Sequence, residues 1–176
     1  IKEVYNPQYG NMYIVDEEGN ELTIYGTYNA DGTVSYKDMD VKPIAGDTVK
    51  IYGIIGKYNA PQMKNGWIVE HIPGEGEAPV APEKPADILA DAEALQPGSA
   101  LPYEAVLNGT IISIDTEYSE QYGNITVTIE VDDTDGKTIQ CYRLKGEGAE
   151  TLAVGDKIAV TGFIINYNGK IQFNTG

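Results

Sequence analysis

The stretch Tyr118-Ser119-Glu120-Gln121-Tyr122-Gly123-Asn124-Ile125-Thr126-Val127-Thr128-Ile129-Glu130-Val131 carries two signals. From Ile125 onward, apolar and polar side chains alternate with a period of two, the pattern of a strand with one face in a core. The opening half, a tyrosine followed four residues later by Tyr-Gly-Asn, occurs a second time at Tyr5 and Tyr9-Gly10-Asn11. The recurrence belongs to a longer repeat. Ile1 falls opposite Ile114 at the same offset of 113, and Gly46-Asp47, Val49, Ile51, Gly53 and Tyr58-Asn59 recur at an offset of 109 as Gly155-Asp156, Ile158, Val160, Gly162 and Tyr167-Asn168. The change of offset gives the first copy about four extra residues, most simply the turn Asn29-Ala30-Asp31-Gly32, because insertions are absorbed in loops.

Each copy reads as strand after strand. In the second, residues 106–115, 125–131, 138–144, 157–166 and 171–174 are rich in β-branched and aromatic residues. Asp135-Gly136, Asn168-Gly169 and Asp31-Gly32 are hairpin signals, with Glu18-Gly19-Asn20 a longer variant. Residues 145–156 are too long for a hairpin and leave room for a helical turn. Five strands with a small insert after the third, in some seventy residues, is the plan of an OB-fold barrel, with a small sandwich as its rival. Gly53, Gly109 and Gly162 inside long strands favour the barrel, where strands bend sharply. The expected fold is therefore all-β, with tandem OB-fold-like five-stranded barrels. The first copy lacks most of its first strand, since residues 103–113 have no counterpart before Ile1. A barrel so cut exposes two edges, and the expectation is a piece of a longer protein.

The predicted boundaries follow from composition. Pro73, Pro79, Pro82, Pro85 and Pro97 are five of the 9 prolines, and residues 73–85 read as an extended, acidic, Pro/Gly-rich linker between a module at 1–72 and a module at 86–176. Ile88, Leu89, Ala92 and Leu95 fall on one face of a short helix opening the second module.

A formal net charge of -15 argues against binding a polyanion, because phosphate recognition relies on Lys and Arg displacing counterions. No apolar run is long enough to span a bilayer and no leader-like stretch opens the sequence, so the reading is a soluble chain with no membrane insertion. One Cys and one His supply neither a disulfide nor a zinc set nor a histidine triad, and the chain reads as non-enzymatic. Cys141 reads as a buried thiol and His71 as a surface residue. Tyrosine stands out, with 13 Tyr beside 2 Phe and 1 Trp.

The run from Ser119 through Thr128, then Tyr142-Arg143-Leu144-Lys145-Gly146, Val154-Gly155-Asp156 and Tyr167-Asn168-Gly169-Lys170-Ile171, resembles the OB-fold-like repeat modules of large secreted or surface-anchored proteins of gut Firmicutes. The resemblance covers nearly all of 86–176 and, more loosely, 1–72, where residues 142–146 have no clear match. It implies a secreted or cell-surface location and an accessory role beside other domains of the same polypeptide. No catalytic residues come with it.

Ligands on such barrels lie across the second and third strands, framed by the first and fourth loops. Tyr5 and Tyr9, or Tyr118 and Tyr122, fall in the first loop, and Tyr58 or Tyr167 in the fourth. A tyrosine ring suits stacking on a sugar or a base. Asn11, Asn124, Gln62, Gln172, Asn59 and Asn168 add neutral hydrogen-bonding groups. Trp67 reads equally as a platform or as a plug of the first barrel. The rival reading of the tyrosines is structural, with rings folded over the barrel ends beside their turns. Asp16 with Glu18, and Asp132 with Asp133 and Asp135, are candidate calcium ligands at hairpin tips, although neither cluster fits an EF-hand loop. The expected role is a non-catalytic module binding extracellular polysaccharide. A spacer or protein-interaction module is one alternative, and single-stranded nucleic-acid binding, disfavoured by charge, is another.

Overall fold

The computed structural model describes residues 1–174. Strands hold 50% of the chain and helix 9%, which makes the protein mostly β, in two five-stranded sheets with one short helix. The chain divides into two units, Ile1–Pro79 and Val80–Gly176.

In the first unit, β1 (Glu3–Asn6), β2 (Asn11–Val15), β3 (Glu21–Tyr28), β4 (Thr48–Lys57) and β5 (Pro61–Ile72) form an open sheet in the order β1-β2-β3-β5-β4. All neighbours are antiparallel except β3 and β5. The Asp16 carboxylate closes the β2–β3 turn, accepting the N–H groups of Glu18 at 3.0 Å and Asn20 at 2.8 Å, the local bonding that makes Asp a turn residue. Met12, Ile24 and Met63 face inward and pack with Tyr36, which a 3-10 turn of the long β3–β4 connection delivers to the core. Its hydroxyl donates to the Pro43 carbonyl at 2.6 Å, so the phenol is buried with its polar end satisfied.

In the second unit, α1 (Pro85–Glu93) precedes β6 (Ala105–Ser119), β7 (Asn124–Val131), β8 (Thr138–Leu144), β9 (Lys157–Tyr167) and β10 (Lys170–Asn174). Pro85 opens the helix where no N–H is needed. Ile88, Leu89 and Ala92 from α1 join Leu107, Ile111, Val127, Ile129, Val160 and Phe173 in one core. The strands close into a barrel, β10-β8-β7-β6-β9, with β8 and β10 parallel. In both units the strands are ordered first, second, third, fifth, fourth.

The units differ in closure, and here the expectation of two barrels is corrected: the first unit is an open sheet. β6 is 15 residues long and pairs with β9 through its first half and with β7 through its second. β1 has 4 residues and pairs with β2 alone among the described residues, leaving β4 with one partner.

The repeat alignment is corrected as well. Ile1 does not stand at the place of Ile114. Its amine donates to the Asp47 carbonyl and its carbonyl accepts the Gly46 N–H at 2.9 Å, while Ile111 makes the same two bonds with Asp156 and Gly155, each at 2.8 Å. Register irregularities in β6 after Ile111, Ile114 and Thr116 absorb the difference in length. Tyr142-Arg143 also acquires a counterpart. Thr23 pairs with Gln62 and Gln140 with Gln172, so Tyr25-Gly26 occupies the place of Tyr142-Arg143. Gly26 has φ 82 and Arg143 φ 54, one left-handed kink built from two residue types.

Candidate ligand-binding face

The loop tyrosines are exposed. Tyr9, Tyr58, Tyr122 and Tyr167 show 49%, 77%, 65% and 60% of their surface, so none is folded over a core. They mark opposite ends of the third strand in each unit. Thr27 donates its N–H to the Tyr9 carbonyl, whereas Gln62, next to the Tyr58 turn, pairs with Thr23. Four strand residues, about 13 Å, separate the two rims.

Between those rims the outward positions of the first sheet are aromatic. Met12, Ile24 and Met63 point into the core, so strand alternation sends Tyr13, Tyr25 and Lys64 the other way. Gly26, at φ 82, and Asn65, at φ 52, interrupt β3 and β5 side by side and keep the two strands in phase. Tyr28 and Trp67 therefore share the outer face, and Trp67 pairs across to Tyr52. Tyr5, from the irregular end of β1, stacks on Tyr13 with centroids 4.8 Å apart and planes at 28°. Burial, and then the neighbouring Tyr13, Tyr25 and Glu3, push the Tyr5 hydroxyl up to about 12, so it stays a donor at any physiological pH. Tyr52 and Trp67 lie 6.3 Å apart in a tilted pair. The Asn29–Gly32 turn packs against the indole, since a Cβ on Gly32 would come within 2.6 Å of a ring carbon. Trp67 is thus half fixed by that turn and half open, with 40% exposed. The face runs Tyr5, Tyr13, Tyr25, Tyr28, Trp67, Tyr52, with Lys64 and Gln62 as its hydrogen-bonding edge.

Several of the expected ligand contacts serve the backbone instead. Asn11 is buried, and its Oδ1 accepts the Gly26 N–H at 2.8 Å, holding the kink in β3. Asn124 Nδ2 donates to the Tyr122 carbonyl within its own turn. Gln172 is buried and Tyr118 packs partly against the barrel core. The matching surface of the second unit keeps one ring, Tyr142 in the place of Tyr25, beside a polar cluster around Asp115. Asp115 accepts from the Ser113 hydroxyl at 2.6 Å, the Thr128 hydroxyl at 2.7 Å and the Gln140 amide at 2.6 Å. Partial burial raises its pKa, and these three donors outweigh that and hold it below the ordinary carboxylate value.

The acid clusters do not converge. Among the described residues, no group of three or more His, Cys, Asp or Glu side chains could hold a metal. Asp16 is committed to its own turn with Glu18 and Asn20. Asp132 lies 3.5 Å from Lys157, and Asp133 takes a left-handed turn position next to Asp135. His71, expected at the surface, is partly buried and engaged. Its Nε2 sits 2.7 Å from Asp47 Oδ2, and the Asp47 carboxylate also accepts the N–H groups of Ile44 and Gly74. Cys141 is buried in the barrel, where desolvation, followed by Asp115, pushes its thiol up to about 12 and makes it a poor nucleophile.

Sequence reasoning looked for aromatics in loops and passed over Tyr13, Tyr25, Tyr28 and Tyr52, which read as ordinary strand residues. The signal of Tyr13, Tyr25 and Tyr52 is parity, each lying one step out of phase with Met12, Ile24 or Ile51, whereas Tyr28 reaches the same face only through the kink at Gly26. No helix among the described residues is long and apolar enough to cross a membrane. Comparison with protein-family models, with curated proteins and with solved structures finds no match to the chain.

Proposed function

We propose that the protein is a non-catalytic accessory module of a secreted or cell-surface protein, and that it binds extracellular carbohydrate on the outer face of the first sheet. One observation carries this reading: the aromatic row from Tyr5 to Tyr52, with Tyr25 and Tyr52 showing 55% and 69% of their surface within strands rather than at a loop tip. Flat rings with hydroxyl edges suit the apolar faces and polar rims of sugar rings. The strand order, with its parallel third and fifth strands, supports an OB-fold-like reading of both units, and on such folds the second and third strands form the usual oligosaccharide or oligonucleotide surface. The net charge of -15 favours a neutral glycan over an oligonucleotide. A role without catalysis is supported by the buried Cys141 and by the His71 and Asp115 side chains, each engaged in a hydrogen bond of the fold.

Affinity electrophoresis against a panel of neutral and acidic polysaccharides and single-stranded oligonucleotides tests this. A neutral glycan should retard the protein. Tyr25→Ala should weaken retention at least about fivefold, from the loss of ~1–3 kcal/mol of ring stacking. The far-ultraviolet circular dichroism and the melting temperature should stay unchanged, because Tyr25 lies outside the core. Retention unchanged in Tyr25→Ala and Tyr52→Ala, or no retarding glycan at all, would sink the reading. Salt-sensitive retention by DNA alone would point to a nucleic-acid surface.

A further inference from the structure

The outer face of the first sheet takes at least one aromatic ring from every strand. In sheet order these are Tyr5 from β1, Tyr13 from β2, Tyr25 and Tyr28 from β3, Trp67 from β5 and Tyr52 from β4. Four strand spacings, about 19 Å, separate the first strand of that order from the last. The rings do not lie level along the strands. Tyr13 stands opposite Thr23, Tyr25 is two residues further along β3, and Tyr28, Trp67 and Tyr52 share one level beyond the kink at Gly26. They form an oblique row rather than a ring around one point. The two tyrosine turns stand on either side of that row: Tyr9 is bonded at the Thr27 end of β3, and Tyr58 precedes Gln62, which is level with Thr23.

The hydrogen-bonding groups fall in the middle of the row. Lys64 is exposed and stands opposite Tyr25, and Gln62 stands opposite Thr23. Across the sheet, both lie between the Tyr5–Tyr13 stack and the Tyr52–Trp67 pair. A site for a chain terminus gathers its polar groups at one end of the aromatic surface, whereas here rings continue on both sides of them.

Given carbohydrate binding on this face, as proposed above, we infer that its ligand class is an extended glycan chain, gripped by an internal stretch rather than by an end. A pyranose unit advances such a chain by roughly one strand spacing, so the row spans at least about four consecutive sugars. The chain crosses the strands obliquely and passes between the Tyr9 and Tyr58 turns. The Tyr5–Tyr13 stack holds one end of the stretch and Trp67 with Tyr52 the other, while Lys64 and Gln62 hydrogen-bond to the sugars on Tyr25. A single sugar covers only part of the row and forfeits stacking on the rest.

Isothermal titration of the whole 176-residue chain tests this. The probes are cello-, manno- and malto-oligosaccharides of two to six units, with the same ladder cut from any polysaccharide that retards the protein in electrophoresis. Affinity should rise at least about tenfold from disaccharide to hexasaccharide, because each further ring adds its own stacking contact. Reduction of the terminal sugar to its alditol should leave the hexasaccharide affinity unchanged. Tyr5→Ala and Tyr52→Ala, at opposite ends of the row, should each weaken the hexasaccharide at least about threefold, with the disaccharide weakened by one of them at most. A disaccharide as tight as the hexasaccharide overturns the inference and leaves carbohydrate binding standing. So does a hexasaccharide that needs its reducing end, that ignores Tyr52→Ala, or that fails to bind when its parent polymer is retained. If Tyr5→Ala disturbs the circular dichroism, the wild-type ladder still decides. Binding of no ladder member and retention by no polysaccharide would instead fail the carbohydrate reading itself, and the chain-length inference with it.

Discussion

Gly10 and Gly123 occupy the same place in the repeated Tyr-Gly-Asn motif, with φ 65 and 59, yet their surroundings differ. A Cβ on Gly10 would lie 2.0 Å from Thr27 Oγ1 and 2.5 Å from the Tyr36 Cβ, both held in the core, whereas on Gly123 the nearest atom is the Tyr118 hydroxyl at 3.8 Å. Alanine at either site meets the left-handed backbone penalty of about 1–2 kcal/mol. At Gly10 the overlap adds about 1–3 kcal/mol more. Urea denaturation should therefore show Gly10→Ala losing clearly more stability than Gly123→Ala, and equal losses would mean that Tyr36 moves aside freely. Asp47 makes a second contrast at this scale. Burial works to raise its pKa, but the N–H groups of Gly74 and Ile44 and the His71 ring together hold it below the usual carboxylate value. A carboxyl with a depressed folded-state pKa stabilises fully above its unfolded value of about 3.9 and loses that contribution as pH falls through the folded value. The melting-temperature gap between wild type and Asp47→Asn should thus be open at neutral pH and close below about pH 4. A gap unchanged between pH 7 and pH 3 would show that the charge is not what matters there.

Among the elements, what was legible in the sequence was whatever repeats within a few residues. The alternation of Ile125–Val131, the Asn168-Gly169 turn and the apolar spacing of Ile88, Leu89 and Ala92 each report local geometry, and β7, β9–β10 and α1 form where they indicate. Other features depend on partners distant in the chain. Asp47 meets His71 across 24 residues, a pairing no local pattern encodes. Arg143 holds a kink that Gly26 holds in the first unit, and only the glycine advertises it, since a non-glycine residue at positive φ leaves no trace in composition. The outer aromatic face was only partly legible for a related reason. Tyr9 and Tyr58 stand next to turn residues and draw notice, while Tyr25 looks like any strand aromatic until Ile24 is known to be the inward neighbour. Bulges defeat simple counting: three irregularities in β6 against one in β1 made Ile1 align with Ile114 in the sequence although it occupies the place of Ile111.

At the scale of the molecule, two units with one strand order have unequal cores. The first is centred on four buried residues, Met12, Ile24, Tyr36 and Met63, while eighteen gather in the second, from Ile88 to Phe173. Each fully buried aliphatic or aromatic side chain contributes about 1.5–3 kcal/mol against a conformational entropy cost that grows with residue number. The units are of similar length, 1–79 and 80–176, so the entropy cost is comparable and the burial is not. Closure accentuates this, because every strand of the barrel has two neighbours, whereas β1 and β4 have one each. Native-state hydrogen exchange should therefore find the amides of Met12–Ile14 and Leu22–Ile24 opening at least about tenfold more readily than those of Val127–Ile129 and Ile139–Cys141. Equal exchange would imply that Tyr36 and the turns around Asp16 and Asn29 supply as much cohesion as eighteen packed side chains, leaving the half-buried Ile51 without energetic consequence. Faster exchange confined to the first unit, greatest along β4, would locate the deficit at the strand whose outer edge has no partner.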